Sequence, residues 1–312
     1  MDEAPIFLVG SERSGTTLLR LLLDSHPRIA FNLESEFLVD CMDDEGSFPD
    51  LVSYREYLAL DRVFAHSHFD VDVGLDYPDL MNAFLEQKRM RNKKSIVGAT
   101  VHRNFWRLHF LWPEARYIHI LRDGRDVARS CMQMGWAGNM LTASAIWLEA
   151  EQQWDRLEPT LSKVQFTEVR YEELVTDATQ VLVRLCDFIG VPFSEKMFDY
   201  AKTSSYSLPS SDRIGQWKSW LSPTEIQLAE LTIGEMLQRR GYAPSGLPRI
   251  RLSRLQRIVL RLQDRIFRAA FQRRRLGNAL YLSDFLARRL GMVKWKAHTQ
   301  RQINAIEDEH IK

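Results

Sequence analysis

A short apolar run, Ile6-Phe7-Leu8-Val9, passes directly into Gly10-Ser11-Glu12-Arg13-Ser14-Gly15-Thr16-Thr17, after which Leu18, Leu19, Leu22 and Leu23 recur at helical spacing. An unbroken apolar tetrad suits a strand buried on both faces, and the leucine spacing suits a helix packed against it. Pro27 forbids the helix from continuing. A strand, a loop bracketed by two glycines and a helix start together aim backbone N–H groups at one point, which makes an anion site. Such an opening limits the chain to folds built on parallel strands with crossover helices.

The remainder agrees with that limit. Strand candidates at Ser95–Val97, Tyr117–Leu121 and Val164–Val169 alternate with helical periodicity over Ala143–Leu157 and Ala178–Ile189. The expectation is an α/β, P-loop-type, three-layer fold with a central parallel β-sheet. Ser222, Pro223 and Glu225 carry three helix-start signals, and that helix should stop at Gly241. Residues 243–248 read as a linker. The chain therefore divides into a main domain, 1–245, and a helical extension, 246–312.

The loop has the G-x-x-x-x-G spacing of a nucleotide-phosphate loop but the wrong residues for an ATPase. Thr16 stands where the phosphate-binding Lys would be, and the cation sits earlier, at Arg13. One Arg inside the loop and two hydroxyls after the second Gly suit an anion that arrives without a metal. A ligand-free glycine turn is the bland alternative. A second motif, Leu121-Arg122-Asp123-Gly124-Arg125-Asp126, ends a strand candidate and leads into a helix carrying Ser130. Arg122 would lie at the carboxyl end of a strand, where open α/β sheets bind ligands, and Ser130 could face the same anion. Alone this motif is weak, because an Arg–Asp pair at a strand end is often structural.

As a pair, the two motifs resemble those of the sulfotransferases that use 3′-phosphoadenosine 5′-phosphosulfate (PAPS). The resemblance runs from Pro5 to about Ala243, and the tail has no recognised counterpart. It implies that Arg13, Ser14, Gly15, Thr16 and Thr17 hold the 5′-phosphosulfate and that Arg122 and Ser130 read the 3′-phosphate. Adenosine 3′,5′-bisphosphate would be the product, and no metal is implied. Val169-Arg170-Tyr171-Glu172 is similar to the family segment whose Tyr lies against the nucleotide, which nominates Tyr171. Ser210, Ser211 and Lys218 are nominated by similarity to a late loop that closes over the phosphates. The string Phe7 to Pro27 is most similar to a branch that includes tyrosylprotein and many bacterial sulfotransferases. Its general base, carried over by position, is Glu34, while Glu36 falls where the tyrosylprotein enzymes have an acceptor-assisting Arg. Many relatives also place a sulfuryl-contacting Lys at a position read here as Ala99, which leaves His102 as the substitute cation or as the base.

The expected acceptor bears a hydroxyl (or an amine), on a glycan, lipid, small molecule or peptide, and transfer is expected by metal-free in-line displacement with a general base. A catalytically silent nucleotide-binding or scaffold protein is the alternative, favoured by the missing Lys. Nucleic acid is not an expected partner, since the tryptophans read as core or groove residues. His66 and His68 lack a third ligand at defensible spacing, so no metal site is expected. Three scattered cysteines without CxxC, an acidic start and no long apolar run give a cytoplasmic expectation.

The overall charge of +1 hides a division. Residues 249–312 hold sixteen Lys/Arg and five Asp/Glu. Leu255, Ile258, Val259, Leu262, Ile266 and Phe271 form a stripe flanked by arginines, as in a basic amphipathic helix. Two fates are open for 249–275: packing on the acidic main domain, or peripheral contact with the inner face of a membrane.

Overall fold

The computed structural model describes residues 4–308, so the acidic start at 1–3 lies outside the described residues. Strands β1 (Ile6–Val9), β2 (Ile29–Glu34), β3 (Ile96–Val101), β4 (Arg116–Leu121) and β5 (Phe166–Arg170) form one sheet in the order β2-β3-β1-β4-β5. Every pairing is parallel, as helical crossovers require. Central β1 is wholly buried and its side chains alternate between two layers. Phe7 and Val9 join Val97, Ala99 and Val101 on one face. Ile6 and Leu8 join Ile96 and the leucines of α1 (Thr16–Asp24) on the other. The three-layer α/β architecture is thus a direct consequence of that apolar tetrad.

Two strands differ from expectation. β2 went unread because Asn32 and Glu34 interrupt its apolar run just after Pro27. β3 extends past Val97 through Gly98-Ala99-Thr100, which carry no strand signal of their own. Pairing decides it: Gly98 to Val101 lie in register with Ile6 to Val9. A Cβ on Gly98 would stand 2.3 Å from the Phe31 ring of β2, so the neighbouring strand needs glycine there.

Farther on, Ser222 and Glu225 form the expected capping box of the helix Pro223–Arg239, and Gly241 follows at φ +79°. Arg240, just past that helix, reaches the buried Glu151 at 2.6 Å. His119 of β4 lies between Glu151 and Glu168 at 3.4 and 3.5 Å and stacks on Trp154 at 4.3 Å. Burial opposes its charge, but the two carboxylates outweigh burial and raise its pKa. A raised histidine pKa stabilises the fold fully below its unfolded value, about 6.5, and that stability is lost as pH climbs through the folded value. The chemical-denaturation midpoint should therefore fall between neutral and alkaline pH. His119→Phe should flatten part of that slope and lower stability only modestly near neutrality, since Arg240 still pairs Glu151 and Arg170 still pairs the exposed Glu168. A slope identical in wild type and variant would refute the assignment.

Candidate active site

The phosphate loop is shaped by close approaches at two glycines. A Cβ on Gly10 would sit 2.4 Å from the Ile120 carbonyl oxygen, and one on Gly15 would run into the Tyr171 ring at 2.4 Å. Between them Arg13 adopts a left-handed φ of +68°, a conformation that costs of order 1–3 kcal/mol and collects at functional sites. The bend sends the Arg13 side chain across to the helix Gly124–Gln133, where its Nε donates to Ser130 Oγ at 3.0 Å. The two motifs, more than a hundred residues apart in sequence, meet in that bond.

Arg122 emerges one residue beyond β4 and is held on three sides. Its Nη1 donates to the Arg13 carbonyl at 3.0 Å, its Nη2 to the Arg213 carbonyl at 2.8 Å, and its guanidinium lies 4.2 Å over the Tyr171 ring. Trp147 Nε1 fixes the backbone by donating to the Arg122 carbonyl. The Arg122 Nε is buried without a hydrogen-bond partner, as is Ser14 Oγ. Orphaned donors of this kind are costly unless a ligand completes them.

These residues border a cavity of about 630 Å³. Arg13, Thr16, Thr17, Arg122, Ser130 and Tyr171 form one side. Residues 205–210 and Arg213 also line the cavity, and the Arg213 carbonyl touches Arg122. Asp126 ties that late loop down, its carboxylate accepting from the N–H groups of Gly215 and Trp217 at 2.8 and 2.7 Å. Arg125 plays no part in the cavity; it is buried between Asp123 and Glu230. Of the late-loop nominations, Ser210 lines the cavity, while Ser211 and Lys218 are not among its lining residues. Lys218 is exposed, its ammonium 5.6 Å from the Trp217 ring. Sequence reading passed over Arg129 and Arg213, which do line it. The basic residue directly after Ser210-Ser211-Asp212 was the available signal for the latter.

Beside the loop lies a buried relay. His102 Nε2 stands 3.0 Å from Thr16 Oγ1, and His102 Nδ1 stands 2.9 Å from Glu36 Oε1, which also accepts the His102 backbone N–H at 3.0 Å. Burial disfavours both charges, yet mutual attraction outweighs it: the His102 pKa is raised and that of Glu36 lowered. Both shifts favour the charged pair, with the His102 Nδ1–H donating to Glu36 Oε1. Glu36 is committed to this ring and is not free to meet an acceptor. Ala99 lies in the apolar layer with Phe7 and Val9. A Lys at 99 would point into hydrocarbon, so this position is not a cation site. Glu34 ends β2 half-buried, within the electrostatic reach of Arg20 and His102. Burial raises the pKa of neighbouring Glu12.

Comparison with known proteins assigns these features a common context. Residues 5–195 match the sequence family described as "Sulfotransferase family". A protein-tyrosine sulfotransferase 1 of Danio rerio is 24% identical, over 79% of this chain and 74% of that protein. The omega-hydroxy-beta-dihydromenaquinone-9 sulfotransferase Stf3 of Mycobacterium bovis is 24% identical over 77% of this chain and 76% of its own length. Among solved structures, a sulfotransferase domain from the curacin biosynthetic pathway superposes with a TM-score of 0.52 at 18% identity. That match covers 78% of this chain and 99% of the domain.

Proposed function

Because the chain belongs to the sulfotransferase family, we propose that its cavity takes PAPS and moves the sulfuryl group to an acceptor hydroxyl. The observation that carries this reading is the Arg13–Ser130 bond, which joins the loop and the Arg122 motif around one space. The residues present suit a doubly phosphorylated nucleotide: four arginines (Arg13, Arg122, Arg129 and Arg213) and a row of hydroxyls line the cavity, the Arg122 Nε is an orphaned donor, and Ser14 Oγ is another, buried in the loop behind the lining. Arg122 and Ser130 are assigned to the 3′-phosphate, and Arg13 with residues 14–17 to the phosphosulfate. Tyr171 would support Arg122 from beneath. We extend no ligand role to Lys218 or Ser211.

PAPS supplies an activated sulfuryl group, whose transfer forms one O–S bond as the S–O bond to the 5′-phosphate breaks. The chain must position the reactants, stabilise charge on the departing phosphate and accept one proton. Loop N–H groups and Arg13 serve the departing oxygen. A charged His102 would donate to Thr16 Oγ1, 3.0 Å away, and so leave the Thr16 proton free to point into the cavity. Glu36 favours the charged form of His102, which suits a cation better than a base, so Glu34 is assigned the acceptor's proton and His102 the missing cation. Sequence comparison alone kept both roles open for His102. The acceptors printed in the relatives' names, protein tyrosine and an omega-hydroxy menaquinone, both bear hydroxyls.

The test is calorimetric. Adenosine 3′,5′-bisphosphate should bind in EDTA far more tightly than AMP, which forfeits charge-assisted contacts worth about 1.5–3 kcal/mol each. Equal affinity for AMP, or a magnesium requirement, would defeat the assignment. A screen of acceptor classes with PAPS, read by mass spectrometry, then separates an enzyme from a silent binding protein. A missing Lys favours a silent protein less when His102 stands beside Thr16 of the loop with its charged form favoured by Glu36.

A further inference from the structure

The basic helix Arg254–Leu276 carries two apolar faces. At 3.6 residues per turn, Leu260, Phe267 and Phe271 share one sector with Asp264, and Leu255, Ile258, Val259, Leu262 and Ile266 share another roughly 150° away. The first face is docked on the main domain. Gly138 N–H and the Thr142 hydroxyl donate to Asp264 Oδ1 at 2.8 and 2.9 Å, and Asn139 Nδ2 donates to the Leu260 carbonyl at 2.8 Å. Glycines admit it: a Cβ on Gly135 would meet the Phe271 ring at 2.3 Å, and one on Gly138 would meet Asp264 Cα at 2.7 Å. Phe271 thus leaves the single stripe expected from the sequence and belongs to the docked side.

The second face meets solvent. Its five aliphatic residues are between 50% and 69% exposed, which is unusual for a contiguous apolar stripe. Arg254, Arg257, Arg261 and Arg265 occupy the sector between the two faces, exposed and without an ion pair to any described residue. Over 249–275 there are ten arginines and one acid, Asp264. That acid is buried in the docked face, so the outward side of the helix carries no acidic residue.

We propose that this outward face seats on an anionic lipid surface, with the aliphatic side chains in the headgroup region and the arginine row paired to lipid phosphates. Charge selects this occupant over a second copy of the chain. Two such faces pressed together would align arginine rows with no acid on either side to receive them. No helix among the described residues is long and apolar enough to cross a membrane, so the contact is one of lying on the surface. Exposed Leu282, Phe285 and Leu286 on the next helix, Asn278–Arg289, and Leu290 just past it add apolar surface to the same extension.

Vesicle flotation tests the proposal without reference to nucleotide or sulfuryl transfer. The full chain should float with phosphatidylglycerol-containing vesicles at low salt and remain at the bottom with pure phosphatidylcholine. Each engaged arginine should contribute roughly five-fold in partitioning, so 0.5 M salt should release the protein. The combined variant Leu255→Ser, Ile258→Ser, Leu262→Ser, Ile266→Ser should lose at least ten-fold in vesicle binding with an unchanged thermal melt, since the docked face is untouched. The combined variant Arg254→Gln, Arg257→Gln, Arg261→Gln, Arg265→Gln should lose the preference for anionic vesicles. Failure to float, or equal flotation with neutral vesicles, overturns the assignment. So does a dimer in light scattering that the serine variant abolishes, because the stripe would then seat a second copy.

Discussion

Glu34→Gln is expected to lower the turnover of sulfuryl transfer by 100-fold or more while leaving adenosine 3′,5′-bisphosphate affinity unchanged. The substitution keeps side-chain volume and removes the one property a base needs, and general-base loss typically costs about 10²–10⁴ in rate. A 100-fold loss is about 2.7 kcal/mol of transition-state free energy. Binding should survive because the nucleotide-facing groups come from the loop after β1, from Arg122 just past β4 and from Ser130 on the helix Gly124–Gln133, whereas Glu34 ends β2. Single-turnover rates with PAPS and the acceptor identified by screening, set beside calorimetry, give both quantities. If turnover barely changes while His102→Ala abolishes it, the base is His102 and the imidazolium assignment fails.

The second large effect belongs to the Thr16–His102–Glu36 relay. His102→Gln retains a hydrogen-bonding group but loses the charge, and should lower kcat by about 10²–10³, the scale for removing one preorganised donor from a developing negative charge. Glu36 acts only through His102, so its signature lies in the pH profile. In wild type His102 must stay protonated, and its raised pKa keeps it so until pH climbs through that value. Activity should therefore fall at alkaline pH. In Glu36→Gln the principal partner holding that charge is gone and burial is opposed only by the lesser pull of Glu12 and Glu34, so the alkaline limb should move to lower pH. A merely structural Glu36 would reduce stability and total activity without moving that limb.

Much of the fold and the site was legible in the sequence because the signals are local. An apolar tetrad, a glycine-bracketed loop and leucines at helical spacing lie within residues 6–23. The Arg122–Ser130 pair lies within one strand end and one helix, and the capping box at Ser222 within a single turn. Steric and hydrogen-bond preferences over a few residues determine such features, so the chain alone specified the α/β sheet, the phosphate loop, the second motif and an arginine-rich amphipathic helix. What the tertiary structure decided depends on sheet order, register and helix facing. The parallel register of β3 on β1 turns Ala99 into the apolar layer and brings His102 to the sheet's carboxyl edge. The crossover from β2 brings Glu36 to the same edge, 66 residues from its partner. The outward stripe of the basic helix is likewise separated from its docked side only by the close approach at Gly135 and Gly138. Periodicity reports that a helix has apolar residues, but burial against a particular neighbour is a property of the assembled layers, because only packing determines which of two apolar faces loses its water.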